Sequence, residues 1–401
     1  MELKIKKDDI KYFLLITITL LVFIRPKFFV ILNSNAVYFF CGLQLVFVLL
    51  AILKQKSLII DVFFILTCIY FIWCVINTIL HKGAIPGTIQ TSIWGICMVY
   101  ILEYRTASDG VERFIQFSGY SMTTILWVNY ILMLRFPDGL TSTNPRSYLT
   151  IAIHFLGQAN QYTILLLFSA MLLCYRVFVL KNVSMVYTIF SSVVMILTVI
   201  RDSSASCKIA FFILISAIVT YSLFPRIVAF LVNPVKCILV TITAFLLLTK
   251  LLTWDVISDF IVNVVGKDIT LSERTTIWTG VYEKLSNIFT LVFGLGEVPG
   301  GAYITIYTGN TFSAHNIILQ ICLSGGLVLL SVFAGIIGVT VKKISSIREK
   351  KIQAIISICL FVFCIVNMTE VFELPIVLMF TYFLYVSGKG ISQRKILGLL
   401  I

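Results

Sequence analysis

Charge is what this sequence has least of. Only 12% of its 401 residues are Asp, Glu, Lys or Arg, about half the share a soluble domain carries, which excludes an ordinary water-soluble fold. The ten cysteines include no Cys-x-x-Cys pair. They stand mostly alone within apolar stretches, as Cys41, Cys68, Cys97 and Cys322 do, so they read as small apolar fillers and indicate neither a disulfide framework nor a metal site. No two-residue alternation of polar and apolar residues runs through the hydrophobic segments, which excludes a β-barrel. Internal repeats and low-complexity tracts are absent. The basic opening MELKIKKDDIKYF is followed by no small-residue cleavage site, so it reads as a retained first helix and not as a removed signal.

What is there is hydrocarbon-soluble. Hydrophobic residues make up 59% of the chain, at a mean hydropathy of +1.03. The apolar runs are about 20 residues long, the length that crosses a bilayer as a helix. The expected fold is therefore an all-α polytopic membrane protein, a single integral membrane domain over 1–401. About twelve spans are expected, near residues 11–32, 36–53, 58–80, 85–102, 114–134, 160–180, 183–200, 207–224, 236–254, 317–341, 352–368 and 372–388. An even count puts both termini on one side. The larger part of the 31 basic residues falls on the face that carries Lys4, Lys54, Arg105, Arg176, Lys342 and Lys395, and that face is expected to be cytoplasmic. The net charge of +13 follows from this topology and from anionic lipid at the inner surface, and nucleic acid is not an expected partner.

The exception to the hydrophobicity is one polar interval, residues 255–316, expected as a large extracytoplasmic loop containing short helices. It gathers Asp255, Asp259, Asp268, Glu273, Arg274, Glu283, Glu297 and His315. Thr270 and Glu273 have capping-box spacing and predict a helix from about Arg274 to Phe289. Its apolar face, Ile277, Val281, Leu285 and Ile288 with Trp278 and Tyr282, is expected to lie along the membrane surface. Arg274 then sits at the positive end of that helix, unfavourable for a structural arginine but suited to gripping an anion such as phosphate. His315 and Asn316 stand where the next span begins. The same outer face receives the turn RDSSAS (Arg201 to Ser206), the segment GQANQ (Gly157 to Gln161) and the turn NMTEVFE with Glu370 and Glu373.

Ser272, Arg274 and Trp278 at a helix start, the GLG turn at Gly294 to Gly296, the pair His315-Asn316 and the pair Gly325-Gly326 together resemble the bacterial O-antigen and capsular polysaccharide polymerase and ligase superfamily. RDSSAS and GQANQ add to the likeness, which covers the second half of the chain from Gly157 onward. The resemblance implies metal-independent, cofactor-free glycosyl transfer at the outer face of a bacterial cytoplasmic membrane. Donor and acceptor would be undecaprenyl-diphosphate-linked oligosaccharides, and a flippase and a chain-length regulator are the protein partners it allows. It implies Arg201 and Arg274 as the groups that stabilise the leaving diphosphate and His315 as the base. Glu370 would orient an arginine or hold a sugar hydroxyl, with Asn316, Trp278, Tyr303 and Tyr307 as sugar contacts.

Plainer roles stay open for each: headgroup anchoring for Arg201, helix capping or a pair with Asp268 for Arg274, interfacial anchoring for Trp278, a helix end for Glu370. His81 and His154 read as ordinary. LSGGL at 323–327 departs from the Gly-x-x-x-Gly that a ligase shows after its histidine, so the polymerase is preferred. A twelve-span transporter of lipid-linked glycans is the non-enzymatic alternative. Clean span centres and no obvious pair of broken helices speak against it.

Overall fold

The computed structural model describes residues 7–55, 60–146, 149–201, 204–251, 274–305 and 311–398. It is 82% helical, and among the described residues the strands form two small hairpins, Thr141–Arg146 against Leu149–Ile153 and Ile304–Thr305 against Thr311–Phe312. The apolar runs become helices because a backbone in hydrocarbon must satisfy its own N–H and C=O groups within the segment. In chain order they are α1 (Lys7–Ile24), α2 (Lys27–Leu32), α3 (Ala36–Lys54), α4 (Val62–Leu80), α5 (Ile85–Asp109), α6 (Val111–Arg135) and α7 (Ala159–Cys174). A π-helical turn, Tyr175–Leu180, extends α7. Then come α8 (Met185–Arg201), α9 (Ala205–Leu223), α10 (Pro225–Leu231), α11 (Pro234–Leu251), α12 (Arg274–Leu285), α13 (Ile288–Phe293), α14 (Ile317–Ser345), α15 (Lys350–Thr369) and α16 (Leu374–Gly398).

Seven described helices are long and apolar enough to cross a membrane: α3, α4, α5, α7 with its π-helical turn, α9, α14 and α15. The pair α10 and α11, bent by 70° at its break, passes the same test only when the two helices are taken together. The expected segments 183–200 and 372–388 are apolar helices of shorter length. The first expected segment, 11–32, is two helices broken at Arg25-Pro26, where proline lacks the N–H to continue the ladder. Apolar side chains cover the outside, among them Leu32, Leu80, Met185, Phe212 and Phe230.

The core forms around α16, which is buried on every side between Ile376 and Val386. Phe383 stacks on Phe114 with ring centroids 5.2 Å apart, and Phe380 stacks on Phe363 at 4.4 Å. A helix apolar all round belongs in the middle of a bundle. At one end of the bundle Tyr12 donates to Asp109 at 2.8 Å and Tyr385 to Asp61 at 2.7 Å. The other end carries the described part of the polar interval, 274–305 and 311–316, the turns at 25–27, 154–158 and 370–373, and the ends of α8 and α9 at Arg201 and Ser204.

Two breaks shape that second end. In α14, Gly326 adopts φ +64° and ψ −163°, a region essentially reserved for glycine. A Cβ there would meet the Val292 carbonyl oxygen at 2.2 Å. The carbonyls released by the break are all taken up. Leu295 N–H donates to Leu323 O at 2.7 Å, and Gly296 N–H donates to Ser324 O at 3.0 Å. Asn77 Nδ2 also donates to Ser324 O at 2.7 Å, and Trp73 Nε1 donates to Gly325 O at 3.3 Å. The GLG turn and the Gly-Gly pair therefore pack directly on one another: a Cβ on Gly294 would lie 2.5 Å from Gly325 N. The helix expected over Arg274–Phe289 is also interrupted. It ends at Leu285, and Asn287 caps a new helix by accepting from Phe289 N and Thr290 N at 2.9 and 3.3 Å.

Candidate functional site

Three segments far apart in the chain converge at the second end. Arg274, first described residue of α12, donates from Nη2 to Glu370 Oε1 at 2.6 Å. His315 Nδ1 lies 3.7 Å from Glu370 Oε2, too far for a hydrogen bond but close enough for an ion pair when the ring is protonated. Ser206 Oγ donates to Glu370 Oε1 at 2.9 Å. The carboxylate is the floor of the site: the Glu370 side chain is 6% exposed, whereas Arg274 and His315 are 20% and 31% exposed and face outward. Burial alone would raise the Glu370 carboxyl, but the His315 ring, the Arg274 charge and the Ser206 hydroxyl together hold it below the usual carboxylate range.

Backbone geometry aims these groups. His315 sits at φ +47°, the left-handed region that a non-glycine residue adopts only where its surroundings enforce it. Asn316 supplies much of that enforcement. Fully buried, it caps α14 by accepting from Leu319 N at 3.0 Å and donates from Nδ2 to Met368 O at 3.0 Å, two residues before Glu370. On the other side of the histidine, buried Trp278 donates from Nε1 to Ala314 O at 2.9 Å. Trp278 and Asn316 therefore hold the His315 turn from beneath and do not face the site. Ile277 and Val281 are buried with Trp278 in a small cluster that includes Tyr303, Leu319, Leu323 and Met368. Ile277, Trp278 and Val281 of the face expected to lie on the membrane pack instead against protein, beside Tyr303, Ile304 and Ala314, while Tyr282 and Ile288 stay exposed.

Of the residues named from sequence, Arg274, His315 and Glu370 meet. Arg201 ends α8 at the same end of the bundle, exposed, and the described contacts of that trio do not include it. Its charge acts on His154, whose proton affinity is lowered first by burial and then by Arg201. Tyr303 is buried and donates to Gly296 O at 2.7 Å. Asp255, Asp259, Asp268, Thr270, Ser272, Glu273 and Tyr307 lie outside the described residues.

Three groups have contacts to which the sequence reading assigned no role. Ser206 was visible inside RDSSAS, but only its contact with Glu370 gives it a role. Glu297 is held within the GLG turn region, with Tyr303 Oη 3.3 Å from its Oε2. Burial raises its carboxyl, and the Tyr303 and Ser324 hydroxyls oppose the shift. Lys27 pairs with Glu373 behind the 370–373 turn. Among the described residues no three His, Cys, Asp or Glu side chains are grouped as metal ligands. Comparison with protein-family models and with curated protein sequences finds no match.

Proposed function

We propose that the chain is a polysaccharide repeat-unit polymerase with about twelve spans, its 255–316 interval on the outer face of a bacterial cytoplasmic membrane. It transfers a glycan from an undecaprenyl-diphosphate carrier to a sugar hydroxyl of a second lipid-linked glycan. The observation that carries the reading is the meeting of Arg274 and His315 on the two oxygens of one buried carboxylate, at 2.6 and 3.7 Å.

The chemistry follows from those three groups. Glu370 faces Nδ1 of His315 and favours the tautomer that leaves Nε2 basic. Nε2 takes the proton of the acceptor hydroxyl as its oxygen bonds to the anomeric carbon of the donor. The bond from that carbon to the diphosphate oxygen breaks, and its electron pair leaves with the diphosphate. Arg274 meets the developing negative charge; a guanidinium presents five N–H donors in a fixed fork, and only Nη2 is committed to Glu370 in the described contacts. Arg201, from the end of α8, is the second cation assigned to the diphosphate.

The direct experiment is turnover of a defined lipid-linked repeat by the purified protein. Chain lengthening is expected for the native chain. His315→Ala should stop it while single repeats persist on the carrier, and normal polymer from that variant would remove the mechanism. Arg201→Lys should slow lengthening about tenfold, the loss of roughly one bidentate contact, whereas an unchanged rate would make Arg201 a headgroup anchor.

A second reading, transport of a lipid-linked glycan, is favoured by the 70° bend between α10 and α11 and the break in α14 at Gly326, since broken helices mark transporter sites. Against it, the carbonyls freed in α14 are all bonded to protein. Movement of lipid-linked glycan across vesicles without lengthening would select transport.

A further inference from the structure

On the far side of the 370–373 turn lies a cavity of about 80 Å³ that the transfer chemistry does not use. It is bounded by the α1–α2 break, the opening of α7 and the start of α16. Its walls are apolar, Ile24, Ile164 and Ile376 among them, and its polar groups are Lys27, Gln161 and Glu373. Lys27 and Glu373 form an ion pair with side-chain exposures of 21% and 39%. Beside it Phe29 packs edge to face on Phe155 and tilted on Phe28.

We infer that this cavity binds the phosphate of an anionic lipid, with Lys27 as its counter-charge, Glu373 as the group it displaces, and the lipid chain along the apolar wall. The volume is several times what one water requires, so a headgroup oxyanion fits where a sugar chain does not. An exposed ion pair contributes little to stability, so exchanging the Glu373 carboxylate for a phosphate costs little. An ammonium is a compact charge suited to a phosphate oxygen, and an apolar wall beside it selects an anion that carries hydrocarbon over a free one. Two sources share this chemistry, a bilayer phospholipid and a polyprenyl phosphate. The inference stands without the transfer reaction, since no cavity residue belongs to the Arg274, His315 and Glu370 group.

The test measures lipid retained by the purified protein in detergent, using phosphatidylglycerol, polyprenyl phosphate, phosphatidylcholine and inorganic phosphate as separate probes. Both anionic lipids, or one of them, should bind, and which is preferred identifies the source. Lys27→Gln should weaken binding about fivefold, the worth of one lysine near an anionic surface. Glu373→Gln should strengthen it, because the competing carboxylate is gone. A structural ion pair would instead lose in both variants, so shifts in the same direction overturn the proposal. Equal binding of phosphatidylcholine, or competition by inorganic phosphate as effective as that by lipid, also overturns it. Lys27→Arg should retain binding and controls for misfolding, and His315→Ala should bind like the native chain.

Discussion

Arg25 and Arg274 stand at the same end of the bundle and do opposite things. Arg25 is 5% exposed. Its guanidinium lies 4.2 Å from the Trp94 ring centre and donates to Gln44 Oε1 at 2.7 Å and to Cys41 Sγ at 3.0 Å. Gln44 in turn donates to Val22 O, and Trp94 Nε1 to Phe23 O. The arginine thus locks the last carbonyls of α1, which the Arg25-Pro26 break would otherwise leave unbonded. Arg274 has a carboxylate beneath it and an accessible face above. The same residue type is a brace where its partners are neutral and enclosed, and keeps one side open where its partner is charged.

The contrast can be broken by experiment. The largest effect is expected for Arg274→Ala, which should lower chain lengthening about 10³-fold and also destabilise the fold, because Glu370 is left buried without its cation. Adding Glu370→Gln should restore the thermal midpoint but not the activity. Recovery of both would make Arg274 a brace like Arg25.

Next is Gly326→Ala, which forces a side chain onto a positive φ and into the Val292 carbonyl. It should cost about 3 kcal/mol or more, read as loss of folded protein in detergent. An unaffected midpoint would mean that the α14 break relaxes freely. Arg25→Ala should cost about 1–3 kcal/mol by stranding the Gln44 oxygen, with activity per folded molecule unchanged. A specific loss of turnover would move Arg25 into the site.

The smallest effect is acid sensitivity. The Glu370 carboxyl is held below its ordinary value of 4.5, so its contribution to stability is full above that pH and is lost as pH falls below 4.5 toward the folded-state value. The native midpoint should fall across that window, and Glu370→Gln should flatten this part of the acid limb. Identical acid limbs would show that the ion pair adds nothing.

Much of the site was legible because its residues are polar in a chain that is not. Arg274, His315 and Glu370 stood out by contrast with apolar surroundings, and the glycine motifs by their need for special backbone. The roles of Trp278 and Asn316 were not legible. Both look like sugar contacts in one dimension, yet each is turned inward to hold a carbonyl. Lys27 and Glu373, 346 positions apart, carry no local sign of their pairing.

Composition alone determined that this is a helical membrane protein, because hydrocarbon length and backbone satisfaction leave a long apolar run no other form. The order of polar residues along the chain marked which of them were unusual. Tertiary structure decided which of those residues meet, since a 2.6 Å contact between Arg274 and Glu370 depends on how α12, α14 and α15 pack. It also decided which polar side chains stay accessible and which serve the backbone, a choice made by burial that no local pattern encodes.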